Sequence, residues 1–163
     1  MTRAVLSIGS NLGDRLGYLR LAVAGFADVL EAVSPVYETA PWGVEDQPDF
    51  LNAVLVVSSP TVDEWGWLRR GQELEARASR VREQRWGPRT LDVDVVTVAG
   101  VTSAHPDLLL PHPGTPSRAT VLIPWLAVEP DASLPDLGLV ADLLAALPTE
   151  AREGVRERSD LTL

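Results

Sequence analysis

The sequence predicts an α+β fold in which a mixed or antiparallel sheet is backed by helices. Strand-like and helix-like segments follow one another as β-α-β-loop-β-α-loop-β between Ala4 and Val98. The second and third strands are joined by a loop, whereas a parallel pair needs a long crossover connection, usually a helix. The 163 residues, 45% hydrophobic and 23% charged, suffice for one domain (1–163) with a sizeable core.

Each element has a local cause. Ala4 to Ile8 is a short apolar run, read as a buried strand. The turn Gly9-Ser10-Asn11-Leu12-Gly13-Asp14 follows, and Asp14 can cap a helix. Leu16, Leu19, Val23, Phe26 and Leu30 recur at helical spacing, which predicts a helix over about 15–30. Val33 to Thr39 is a second strand, with Pro35 marking an edge or a bulge. Residues 40–49 form a Pro/Gly/acid loop, and Leu51 to Ser58 is a third strand. Thr61 and Glu64 fit a capping box at the start of a helix reaching about Ala78. An arginine-rich loop, 79–89, leads into a valine-rich fourth strand, Thr90 to Val98. Residues 99–117 read as irregular, with a brief strand at 108–110. Thr120–Val128 reads as a helix disturbed by Pro124, Leu139–Leu147 as a last amphipathic helix, and the charged tail from Glu150 is expected to fray.

Composition narrows the chemistry. There is no cysteine, hence no disulfide, thiol nucleophile or Cys-ligated metal, and only two histidines, His105 and His112. All 14 basic residues are arginine, which excludes a P-loop lysine, a protein-kinase lysine and a Schiff-base lysine. The net charge of −9 argues against a nucleic-acid partner. Within 77–89, however, Arg77, Arg80, Arg82, Arg85 and Arg89 face a single acid, Glu83. One cationic segment in an acidic chain suits a small polyanion. No apolar run reaches the ~18 residues of a membrane span and no signal-peptide pattern is present, so a cytoplasmic protein is expected.

Asp92-Val93-Asp94 is the sharpest feature. Strand alternation puts both carboxylates on one face. They repel unless a divalent cation lies between them, and magnesium suits one or two carboxylates plus phosphate oxygens. Taken alone, the pair reads slightly better as a solvent-facing strand edge. The run RWGPRTLDVDV (85–95) tips the balance, because arginine forks match phosphate oxygens and Gly87-Pro88 makes a stiff turn that can aim Arg89 and the aspartates together. Around the loop 40–52, Thr39 and Asn52 could hydrogen-bond a polar heterocycle, with Trp42 and Phe50 as flat apolar faces; the same aromatics could simply belong to the core. His112 and Arg118 could reach a phosphate, while His105 reads as structural.

Together these segments resemble 6-hydroxymethyl-7,8-dihydropterin pyrophosphokinase of the folate pathway. The likeness runs from GSNLGD (9–14) through QPDFLNAV (47–54) and RVREQRWGPRTLDVDV (80–95) to PHPGTPSRATVLIPWLAVEPD (111–131). It implies a ferredoxin-like α/β sandwich, a mostly antiparallel sheet flanked by helices. It implies transfer of the β,γ-diphosphate of ATP to the pterin hydroxymethyl group, with AMP released. Asp92 and Asp94 then match the carboxylates holding two Mg2+ ions. Arg80, Arg82, Arg85 and Arg89 match phosphate-gripping loop arginines, with Arg80, Arg82 and Arg89 placed at the catalytic centre. Glu75, Val95, His112 and Arg118 match ATP contacts. Gly9, Thr39, Ala40, Trp42, Phe50, Asn52, Trp86 and Thr120 match the pterin side. ATP with magnesium is expected to bind first, and loops 40–50 and 80–89 then to close and exclude water. The enzyme is expected to be a monomer acting on ATP and dihydropterin, without nucleic acid or membrane partners.

The sequence departs from the family pattern at three places. The stretch from Arg82 to Arg85 is one residue shorter than in some members. Ala40 replaces a frequent proline. Thr120 stands where phenylalanine is common; a lost stacking face costs on the order of 1 kcal/mol, with Trp42 or Trp86 expected to compensate. A ferredoxin-like RNA-binding module is the rival reading, but its sheet would carry aromatics where this one carries Asp92 and Asp94. Another metal-dependent phosphotransferase would release ADP or pyrophosphate. A pterin-binding homologue without catalysis would not need these arginines and aspartates.

Overall fold

The computed structural model describes residues 2–40, 48–80 and 90–163; the side chains of Ser79 and Arg80 lie outside that description. The chain runs through β1 (Thr2–Ser10), α1 (Arg15–Gly25), β2 (Leu30–Val33), β3 (Tyr37–Thr39), β4 (Phe50–Ser59) and α2 (Glu64–Arg80). It continues through β5 (Asp92–Val98), β6 (Ser103–His105), β7 (Leu108–Leu110), a 3-10 turn (Thr115–Ser117) and α3 (Ala119–Val128). It ends with β8 (Ser133–Leu134), β9 (Gly138–Leu139), α4 (Val140–Ala145), α5 (Thr149–Glu153) and β10 (Arg156–Glu157).

The main sheet has the order β10-β3-β4-β1-β5, with β2 also paired to β4, and the pairings are antiparallel. Helices cover it from both sides. On one side Ala4, Leu6 and Ile8 of β1 pack with Tyr18, Leu19 and Ala22 of α1 and Trp67, Leu74 and Ala78 of α2. On the other, Val5, Val54 and Val96 pack with Val121, Leu122 and Trp125 of α3 and Val140 of α4. The mostly antiparallel α+β sandwich expected from the sequence is the fold observed.

Gly71 lets α2 lie close on β5, since a Cβ there would sit 2.9 Å from Val93 Cγ1. Along β5 the register slips by one residue, Val5 pairing with Thr97 and Leu6 with Val95. Val96 is the extra residue of this β-bulge. Asp92 and Asp94 thus stay on the face opposite Val93 and Val95, while Val98 still reaches the α1/α2 core.

Four expectations are corrected. The first helix ends at Gly25 rather than near 30, because Leu30 is taken by the ladder opposite Val57. The second strand begins at Leu30 and is cut at Ser34–Val36, where Ser34 bonds Val54 through both its backbone and its hydroxyl. The α2 cap is Asp63 and not Thr61: the Asp63 carboxylate accepts from Gly66 N at 2.7 Å, whereas Thr61 N donates to Ser59 Oγ. The charged tail is partly built into the fold. β10 pairs with β3, Arg158 N donates to the Val36 carbonyl, and Leu161 and Leu163 pack on the core. Asp14 caps α1 as expected, accepting from Gly17 N at 3.0 Å.

Candidate functional site

The register collects the candidate residues on one sheet face. Cross-strand partners share a face, and alternate residues of each strand return to it. Tyr37, Asn52, Gly9 and Asp92 form one row across β3, β4, β1 and β5. Ser7 and Asp94 form the next row toward α3, and Thr39 with Phe50 the next in the other direction. The side chains of Asn52 and Asp92 are thus two strand spacings apart, about 10 Å, with Gly9 as the floor between them. This face also carries α3 and α4, but their core begins at Val5, Val54 and Val96, so the upper rows stand beyond the helices.

Each position has a reason. Thr39 is buried, and its hydroxyl accepts from Asn52 Nδ2 at 2.9 Å, which orients the amide. Gly9 is needed for that orientation, because a Cβ would lie 3.0 Å from Asn52 Oδ1. Phe50, Asn52 and Asp92 are half-buried, and Asp94 keeps 44% of its side chain exposed. Arg118, just before α3, brings Nη1 to 4.0 Å from Asp94 Oδ2. Thr120 lies one residue into α3, half-buried, and Ala40 is exposed at the end of β3.

A second cluster flanks the β5 edge. Glu75 of α2 accepts from Val93 N at 3.1 Å, tying the helix to the strand. A cleft of about 200 Å³ is lined by Leu68, Asp94, Val95, Leu108, His112 and Pro113, among others. His112 is held there by its amide, which donates to the Val96 carbonyl at 2.8 Å. Its Nδ1 accepts from Gly114 N at 3.4 Å, which leaves Nε2 as the ring N–H donor. His105 meets Trp65 with the two rings nearly perpendicular and their centroids 4.8 Å apart.

Asp92 and Asp94 suit a hard cation. Their donors are all oxygen, and among the described residues no group of three or more His, Cys, Asp or Glu encloses a metal. Two half-exposed carboxylates fit an ion that retains waters and completes its shell with substrate oxygens.

Trp42, Arg82, Arg85, Trp86 and Arg89 lie outside the described residues, as does the side chain of Arg80. The sequence reading missed Ser7, which faces the site directly across from Asp94. It also missed the ion-pair cluster around Glu38 behind Thr39, whose partners are too distant in the chain for any spacing rule to find.

Comparison with known proteins fits this geometry. The family model for 7,8-dihydro-6-hydroxymethylpterin-pyrophosphokinase (HPPK) matches residues 5–130. The 2-amino-4-hydroxy-6-hydroxymethyldihydropteridine pyrophosphokinase of Mycobacterium tuberculosis (strain ATCC 25618 / H37Rv) is 51% identical, over 96% of this chain and 89% of that protein. The protein of the same name from Mycobacterium leprae is 52% identical, over 100% of this chain and 92% of its own. Among solved structures, a Plasmodium falciparum HPPK-DHPS variant crystallised with SDX-DHP superposes with a TM-score of 0.71 over 88% of this chain. At 14% identity that likeness concerns the fold, and the chain spans only 45% of that longer one. The chain belongs to the 7,8-dihydro-6-hydroxymethylpterin-pyrophosphokinase family.

Proposed function

We propose that this chain carries out the family's reaction on the sheet face above α3. The β,γ-diphosphate of ATP passes to the hydroxymethyl group of 6-hydroxymethyl-7,8-dihydropterin, and AMP leaves. The pterin hydroxyl oxygen bonds to the β-phosphorus as the bond from that phosphorus to the oxygen shared with the α-phosphate breaks; the hydroxyl proton is lost. The observation that carries this reading is the shared face itself, with Asn52, Gly9 and Asp92 in one row and Thr39, Phe50 and Asp94 in the rows beside it.

The residues divide the work by chemistry. Asn52 and Thr39 offer amide and hydroxyl partners to a flat heterocycle, Phe50 offers a stacking face, and Gly9 leaves room beneath it. Ala40 and Thr120 border this side. Asp92 and Asp94 would hold magnesium, which when bound neutralises phosphate oxygens and exposes phosphorus to attack. Arg118 and the Nε2–H of His112 are donors for the triphosphate, with Val95 and Glu75 shaping the nucleotide cleft. Arg80, Arg82, Arg85 and Arg89 supply further phosphate contacts, and Trp42 and Trp86 further pterin contacts. We take the enzyme to act as a monomer. We place the enzyme in the cytoplasm, a compartment its cysteine-free composition allows. Among the described residues no helix is long and apolar enough to cross a membrane.

The deciding experiment is AMP release from ATP and magnesium, with and without the dihydropterin. Pterin-dependent AMP without ADP is the expected result; folded protein that makes no AMP would sink the reading. A finer test is Gly9→Ala. The added methyl must push Asn52 aside by a few tenths of an ångström. The KM for pterin should rise by about tenfold while the KM for ATP stays within about twofold. An unchanged pterin KM would remove Gly9 and Asn52 from the pterin site.

A further inference from the structure

Behind the pterin-side residues lies a charged cluster that the reaction does not use directly. Strand alternation turns Glu38 to the face opposite Tyr37 and Thr39. Its side chain is only 13% exposed, yet it meets three arginines from distant parts of the chain. Arg15, at the start of α1, reaches Glu38 Oε2 at 2.9 Å; Arg158 reaches the same oxygen at 3.2 Å; Arg156 of β10 reaches Oε1 at 3.4 Å. Two of these arginines also cross to the neighbouring strand. Arg15 donates to the Asp49 carbonyl at 2.7 Å, and Arg156 to the Asp49 carboxylate at 3.0 Å.

Placement gives the cluster its meaning. Thr39 opposite Phe50 is the last rung of the β3–β4 ladder. Ladder ends fray unless something holds them. Glu38 immediately precedes Thr39, and Asp49 immediately precedes Phe50. Arg15 and Arg156 therefore join the two strands behind that terminal rung, and Arg158 shares Glu38 with them.

We infer that Glu38, with Arg15, Arg156 and Arg158, is a positioning cluster that fixes Thr39, Phe50 and Asn52 for the pterin. This rests on the pterin assignment of that face. Through the cluster the C-terminal segment, more than a hundred residues from Thr39 in sequence, helps set substrate affinity. The electrostatics agree. Burial pushes the Glu38 carboxyl up, but the Arg15 hydrogen bond and the charges of Arg158, Arg15 and Arg156 outweigh it and hold the carboxyl below the usual glutamate range. Removing that charge leaves Arg15 and Arg156 on Asp49 and Arg158 on Asp160, so nothing among the described contacts joins these arginines to β3 at Glu38, and the rung should splay.

The test is steady-state kinetics on the full chain, varying each substrate in turn. Glu38→Gln should raise the KM for pterin by about tenfold, with the KM for ATP within about twofold of wild type, and Glu38→Asp should recover part of the loss. Arg156→Ala with Arg158→Ala should move the pterin KM in the same direction by less. Arg156 is 58% exposed, so this variant keeps the measurement possible if Glu38→Gln folds poorly. A pterin KM unchanged in these variants while Tm falls would reduce the cluster to a structural clamp and overturn the inference, as would an equal rise in both KM values. Wild-type protein with no pterin-dependent AMP would instead overturn the assignment on which the inference rests.

Discussion

Asp94→Asn will lower the rate of AMP formation by about 10³-fold, because the magnesium proposed at this carboxylate would stabilise several kcal/mol of transition-state charge. The substitution keeps the shape of the side chain and removes one charge. With 44% of the Asp94 side chain exposed and Val93 and Val95 packed on the opposite face, the strand itself should be undisturbed. The Tm should therefore stay close to wild type while kcat collapses. Raising magnesium should recover part of the rate if the asparagine oxygen still binds weakly. The measurement is kcat for AMP release across a magnesium titration, with a thermal melt as control. A loss below about tenfold would argue against metal ligation at Asp94.

The second large effect is on stability. Trp67→Ala should destabilise the fold by about 3–5 kcal/mol, the range for deleting a buried aromatic. Trp67 is completely buried between α2 and the sheet, with the Phe26 ring 6.4 Å away. Its Nε1–H donates to Thr2 Oγ1 at 2.8 Å, and Thr2 Oγ1 donates onward to the Val62 carbonyl. The mutation opens a cavity and leaves Thr2 short of a donor. For a chain of this length such a loss corresponds to a fall in Tm of about 10 °C or more. A fall of only about 3 °C would mean that α1 and α2 collapse onto the space and that the packing here is far more plastic than its burial suggests.

Much of the fold could be read from one sequence, and the failures have local causes. β1, β4 and β5 are apolar and β-branched, and their pattern carried them. Asp92 and Asp94 were legible because alternation alone decides their common face. Leu30 was misassigned because its helical spacing from Phe26 is real, and only the presence of Val57 across the ladder outweighs it. The α2 cap slipped from Thr61 to Asp63 because Ser59 had already drawn Thr61 into a turn. The tail looked exposed and charged, yet its arginines are matched to Glu38 and Asp49, acids more than a hundred positions earlier. Local sequence contains no trace of such pairings. Asn52 and Thr39 lay between two readings in the sequence, and the bond between them, across one rung, is what joins them in the fold.

The extra residue in β5 has one more consequence. The carbonyl of Val96, on this edge strand, is what the His112 amide binds. Asp94 and His112 are thus tethered through main chain alone, two residues of strand and one hydrogen bond. Neither side chain takes part in the tether. Substitution at either position would change the chemistry offered at the cleft without altering the separation at which it is offered. Distance and reactivity are thus set by different parts of the molecule: the spacing by the backbone, the chemistry by the two side chains.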